Sequence, residues 1–154
     1  MEALPRKYSL AVIDIDRFAD FNETHGRELG DDALRMVAAR VRHGVGRGNA
    51  YRYEGESFLA VLPRMGAEEA LARLEELREN VESYLLALRA PERARTTKRA
   101  RRPGGWKGSD TVSLTVSIGV ADNSGGALKP HAVLEEAQRA LQRAQEKGRN
   151  KVSR

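Results

Sequence analysis

The spacing of apolar residues changes period several times along the chain, and each change marks an element. Leu10-Ala-Val-Ile13, continued by Asp14-Ile15, is a short run with β-branched residues, which predicts a buried strand ending in acids. Asp16 stands where a helix N-cap would, ahead of a short turn through Phe21. Gly26 and Gly30 bracket a connection, and Asp31 is a second N-cap candidate. Apolar positions 33/34, 37/38 and 41 have helical spacing, which predicts a helix over 33–42 that stops at Gly44, Gly46 and Gly48. Short strands at 50–53 and 58–62 flank Glu54-Gly55-Glu56-Ser57, the pattern of a β-hairpin.

Residues 67–89 read as the longest helix, because Leu71, Leu74, Leu77, Val81, Leu85 and Leu88 step by three and four. From 111 to 121 polar and apolar residues alternate, so Val112, Leu114, Val116, Ile118 and Val120 share one face of a strand. Pro130 can open the last helix, whose buried stripe is Val133, Leu134, Ala137, Ala140, Leu141 and Ala144. Gly148 suits the position just past its end. The predicted order is β-α-α-β-β-α-β-α without repeats, which reads as one domain over 1–154. Strands alternating with one-face-apolar helices predict an α/β (α+β) sandwich, with helices on the faces of a central sheet.

Composition narrows the chemistry. The chain has 154 residues, of which 40% are hydrophobic and 32% charged, as in a soluble domain. It has no cysteine, which excludes disulfides, thiolate metal sites and cysteine nucleophiles. His25, His43 and His131 are too scattered for a histidine metal motif. No apolar run approaches the ~20 residues of a membrane span, and the first residues lack a signal-peptide core; the expected location is cytoplasmic. The net charge of +5 is local. Between Leu88 and Gly108 stand Arg89, Arg93, Arg95, Lys98, Arg99, Arg101, Arg102 and Lys107, opposed by Glu92 alone. This basic stretch around Trp106 reads as a mobile, solvated insertion at about 90–109. The competing reading is a binding module for nucleic acid or anionic lipid, which its single aromatic supports poorly.

Asp14 and Asp16 end the first strand, and Glu56 lies in the hairpin tip. If those strands are neighbours, the carboxylates converge at one end of the sheet and could hold Mg²⁺ with nucleotide phosphates. Taken alone, that geometry is better explained by strand-end caps and a polar hairpin tip. The longer pattern adds weight. Asp14-Ile-Asp-Arg-Phe18, Asn22, Gly26, Gly30-Asp31-x-x-Leu34, Arg52-Tyr-Glu-Gly-Glu-Ser-Phe58, Thr115-Val-Ser-Ile-Gly-Val120 and Gly148-Arg-Asn150 follow in order with suitable gaps. Over about residues 9–152 the chain resembles the GGDEF (diguanylate cyclase) family. The resemblance implies a nucleotidyl-cyclase or polymerase-palm-like sheet and condensation of two GTP into cyclic di-GMP across a head-to-head homodimer. It also implies other signalling domains or proteins as partners. It places metal at Asp14, the backbone carbonyl of Ile15 and Glu56, with Glu56 as the catalytic acid if the domain is active. Nucleotide would meet Phe18, Asn22, Asp31, Gly55 and Arg149, with Asn22 and Asp31 at the guanine. Asn22 serves equally well as a plain loop residue, and Asp31 as an N-cap.

The chain departs from the family where the chemistry is done. The signature reads Glu54-Gly55-Glu56-Ser57-Phe58, so a glycine becomes Glu54 and an acid becomes Ser57. A hydroxyl is a weaker Mg²⁺ ligand than a carboxylate. The two family lysines that grip the triphosphate are Ala19 and Gln145 here. Each lost charge-assisted contact costs about 1.5–3 kcal/mol. Two such losses amount to roughly 10²–10⁴ in affinity or rate. The family's inhibitory Arg-x-x-Asp pair falls on Val45 and Gly48, so no inhibitory site is expected. The leading expectation is a degenerate, catalytically impaired domain with a regulatory or guanine-nucleotide-binding role in bacterial cyclic-di-GMP signalling. The alternative is an active cyclase.

Overall fold

The computed structural model describes residues 7–88, 111–124 and 129–154. In chain order the elements are β1 (Tyr8–Ile15), α1 (Phe18–His25), α2 (Arg27–Val45), a 3-10 turn (Arg47–Asn49), β2 (Ala50–Arg52), β3 (Ser57–Pro63) and α3 (Ala67–Glu82). They continue with β4 (Leu86–Ala87), β5 (Thr111–Val112), β6 (Val116–Asp122), α4 (Pro130–Glu146) and β7 (Val152–Ser153). Five strands make the main sheet in the order β2-β3-β1-β6-β7. β1 is central and antiparallel to both β3 and β6, while β7 runs parallel to β6. β4 and β5 pair as a separate ribbon.

Alternation along the strands sorts the two faces. Ala11, Ile13 and Ile15 join Phe58, Ala60, Leu62, Val116, Ile118 and Val120 under α2 and α3. Tyr8 and Leu10 face the other way, against Val133 of α4. With helices on both faces, β1 has no polar side to show until its last residues, which is why it reads as an unbroken apolar run. Gly119 permits the closest approach. A Cβ there would lie 2.1 Å from Leu141 N and 2.2 Å from the Ala137 carbonyl oxygen, so the α4 backbone rests directly on β6. Asp122 at the end of β6 caps α3 from a distance, accepting from the Ala67 amide at 2.6 Å.

The sheet-and-helix sandwich, the hairpin, and Pro130 at the start of the last helix follow the sequence reading. Five readings need correction. Helix 67–89 stops at Glu82, and the chain turns extended. There the two-residue period of a strand buries Leu86 and Leu88, while Leu85 is 63% exposed. The helix expected at 33–42 runs over Arg27–Val45, because the buried stripe continues back to Leu29. Asp31 therefore lies inside it and is no N-cap. Asp16 is not a cap either; Arg17 holds that position with φ 53°, and the Asp16 side chain is used elsewhere. The strand expected at 111–121 breaks, giving Thr111–Val112 to the ribbon with β4. Its face still holds, with Leu114, Val116, Ile118 and Val120 all buried. The basic insertion at about 90–109 lies outside the described residues. Among the described residues no helix is long and apolar enough to cross a membrane.

Candidate functional site

The register of the central strands assembles the acidic end of the sheet. Asp14 sits opposite Ser57 on β3 and Ser117 on β6. Ser57 donates its hydroxyl to Asp14 Oδ1 at 2.8 Å. Gln145, in the last turn of α4, donates Nε2–H to Asp14 Oδ2 at 2.9 Å. Glu56 is drawn alongside by its carbonyl, which accepts from the Ile15 amide at 3.3 Å. Burial pushes the Asp14 carboxyl above the ordinary carboxylate value. The Ser57 bond opposes that shift, the charges of Glu56 and Asp16 add to it, and the Gln145 bond opposes it again. Asp14, Ile15, Glu56, Ser57 and Gln145 thus lie together at this end of the sheet.

These residues offer a divalent ion two carboxylates and one carbonyl. That donor set fits a largely hydrated Mg²⁺ arriving with phosphates, where it would neutralise phosphate charge. It is not a closed cage. Among the described residues no group of three or more His, Cys, Asp or Glu side chains could hold a metal. Each Asp14 oxygen already accepts a bond from a neutral protein group, so an ion must share or displace those donors.

Asp16 has a different task. Its residue is only 9% exposed. Its oxygens accept from the Thr115 hydroxyl at 2.7 Å, the Ser117 hydroxyl at 2.7 Å and the Asn150 amide at 2.9 Å. It pins β6 and the chain after α4 to the end of β1.

Phe18 and Asn22 lie on α1, facing the start of α2. Phe18 stacks on Phe21 with ring centres 6.3 Å apart. The Asn22 side chain lies where a residue-30 Cβ would be: a Cβ on Gly30 would stand 1.8 Å from Asn22 Oδ1. Gly30 therefore admits Asn22 to this corner, next to the exposed Asp31. Asn22 Oδ1 is buried and has no hydrogen-bond partner among the described residues. A buried acceptor without a donor is an exception in folded proteins.

At the end of α4 the chain reverses through a Schellman turn. The Gly148 amide bonds the Gln145 carbonyl at 3.3 Å, and the Arg149 amide bonds that of Ala144 at 3.0 Å. Gly148, Arg149 and Asn150 all have positive φ, at 114°, 65° and 50°. Arg149 lines a concavity of about 380 Å³ together with Asp16, Arg17, Asp20 and Thr115. The other substituted positions, Ala19 and Glu54, are exposed, as is Gly55, whose carbonyl accepts from Arg52. Thr115, Ser117 and Asn150 all lie within the family-like motifs, but residue type alone gives no sign of their shared partner, Asp16.

Comparison with known proteins gives the family. The family model described as "Diguanylate cyclase, GGDEF domain" matches residues 2–151. The chain belongs to the GGDEF-domain family. The response regulator PleD of Caulobacter vibrioides is 30% identical over 145 residues, covering 94% of this chain and 28% of PleD. The curated relatives are much longer; the chain spans 34% of diguanylate cyclase A from Treponema denticola, for example. Among solved structures, the GGDEF domain of DgcB from Caulobacter crescentus, in complex with c-di-GMP, superposes with a TM-score of 0.76. It is 34% identical, over 96% of this chain and 77% of that one. Within this GGDEF domain, Ser57 and Gln145 meet at one carboxylate, Asp14.

Proposed function

We propose that this GGDEF domain binds a guanine nucleotide as a regulatory module of bacterial cyclic-di-GMP signalling, with its cyclase chemistry impaired. The observation that carries the reading is the pair of neutral bonds from Ser57 and Gln145 to the two oxygens of Asp14. Both donors stand where the family carries a charged group, an acid at Ser57 and a lysine at Gln145. Each now satisfies Asp14 instead of serving a metal or a phosphate. Phosphoryl transfer rests on positioning and charge neutralisation, and by the family pattern this end of the site lacks a metal ligand and one cation, with a second cation missing at Ala19 on α1. The corner of Phe18, Asn22, Gly30 and Asp31 supports retained base recognition, because an amide and a carboxylate can meet the donors and acceptors of a guanine edge. In this reading Mg²⁺, if it enters, comes with the nucleotide and is weakly held by Asp14, Glu56 and the Ile15 carbonyl. The output then runs through a second copy or a protein partner rather than through product.

The test is synthesis of cyclic di-GMP from GTP and Mg²⁺ by the purified domain at high protein concentration. The expected result is no product, and recovery of measurable product in the Ser57→Glu/Gln145→Lys variant. Product from the unaltered domain, abolished by Glu56→Ala, would overturn the reading in favour of an active cyclase.

A further inference from the structure

Asn150 is gripped from both ends. Its backbone amide donates to Asp16 Oδ2 at 2.9 Å and approaches Ser117 Oγ at 3.1 Å. Its side chain is taken by α3: Oδ1 accepts from Arg78 Nη1 at 2.7 Å, and Nδ2 donates to Glu82 Oε2 at 2.6 Å. Arg78 is itself fixed. Its side chain is 12% exposed; Glu75 accepts from Nε and Nη2, and Glu82 shares Nη1 with Asn150. The clamp joins residues 72 apart in sequence and holds the last of three consecutive residues with positive φ. L-residues resist that conformation, so a run of this kind needs outside bonds to persist. The side chain of Arg149, in the middle of the run, takes no part in the hydrogen bonds and ion pairs found among the described residues and opens on the concavity beside Asp16 and Arg17.

We infer that Arg78, with Glu82, is a positioning residue: by clamping Asn150 it fixes where Arg149 presents its charge to a phosphate of the bound nucleotide. The inference rests on the nucleotide-binding reading above. A helix-surface ion pair would need only Glu75, Glu79 and Glu82. The short bond to Asn150 is the added feature, and it leads to a cation rather than to the core.

The test is calorimetric titration of GTP and, separately, of guanosine into the domain and its Arg78→Ala, Arg149→Ala and doubly substituted variants. Arg78→Ala should weaken GTP about tenfold and leave guanosine unchanged, as should Arg149→Ala. The double variant should bind GTP no more weakly than Arg149→Ala alone, because both changes remove the same contact. Glu82→Gln, which keeps the bond to Asn150, should bind like the unaltered domain, whereas Glu82→Ala should not. Equal losses for GTP and guanosine, or losses that multiply in the double variant, would overturn the inference. If the unaltered domain binds neither ligand, the nucleotide reading fails first. Hydrogen exchange then decides the clamp: the Asn150 amide should exchange at least about tenfold faster in Arg78→Ala while α3 stays protected. Unchanged exchange would overturn the clamp.

Discussion

Two corners of the same site treat their polar groups in opposite ways. At the end of β1, Asp14 has a protein donor on each carboxylate oxygen, from Ser57 and Gln145. At the junction of α1 and α2, Asn22 Oδ1 is buried with no donor among the described residues. A satisfied carboxylate gains little from a newcomer. An unmet buried acceptor costs about 1–3 kcal/mol, and a ligand that supplies the missing donor recovers it. The contrast teaches where this domain still has free energy to give a ligand. It lies at the proposed base-reading corner, not at the metal corner.

The strongest way to break that contrast is Gly30→Ala. The new Cβ would stand 1.8 Å from Asn22 Oδ1, so the amide must leave its place. Overpacking of this kind costs about 1–3 kcal/mol. Guanine-nucleotide binding in a calorimeter should fall by at least tenfold, while the melting temperature drops by several degrees. Asn22→Ala sharpens the same point with a milder change. It removes the orphaned acceptor, so nucleotide affinity should fall while the fold gains about 1 kcal/mol, read by denaturant unfolding. A variant that loses both binding and stability would contradict the idea that Asn22 is kept for a ligand.

At the other corner, Asp14→Asn should stabilise the fold at neutral pH by roughly 0.5–2 kcal/mol. The folded state raises the Asp14 pKa, through burial first and then through the charges of Glu56 and Asp16. Asp14 therefore favours folding fully below its unfolded pKa, and that contribution is lost as pH rises through the higher folded value. The advantage of the Asn variant should thus appear above that value and vanish in acid. Asp122 supplies the reverse case and the smallest expected effect. Burial acts to raise its pKa, but bonds from Ser124 and from the Ala67 and Ser124 amides, with the Arg154 charge, lower it overall. Its contribution is present above the unfolded pKa and is lost as pH falls through the depressed folded value. Asp122→Ala should cost about 1 kcal/mol through the lost cap on α3, visible in thermal melts near neutral pH.

Much of this was legible in the sequence because it rests on local pattern. The apolar run of β1, the alternation from Leu114 to Val120, and the small-residue stripe of α4 each declare one buried face. The hairpin could be read from a short polar tip between two apolar strands. What escaped was set by partners distant in sequence. Leu85 and Leu88 fit the helical spacing of α3, but pairing of Leu86 with Val112 replaces that period by the period of a strand. Gly30 is expected to close a connection, yet it lies inside α2, where the missing Cβ leaves room for the Asn22 side chain. Asp16 and Asp31 resembled N-caps by type, and only the folded chain shows Asp16 bound to Thr115, Ser117 and Asn150. Asp14 and Ser57 face each other because β1 and β3 are neighbours, the one condition the sequence reading set. That Ser57 and Gln145 both bond Asp14 could not be read from residues separated by most of the chain.

The central claim is that these two side chains stand in for a metal at Asp14, so that nucleotide binding no longer depends on one. Calorimetric titration of GTP into the unaltered domain, with and without Mg²⁺, tests it most directly. The account predicts weak binding whose affinity Mg²⁺ leaves essentially unchanged. Tight binding that appears only with Mg²⁺ would contradict it, and would show that the Ser57 and Gln145 donors yield Asp14 to the ion.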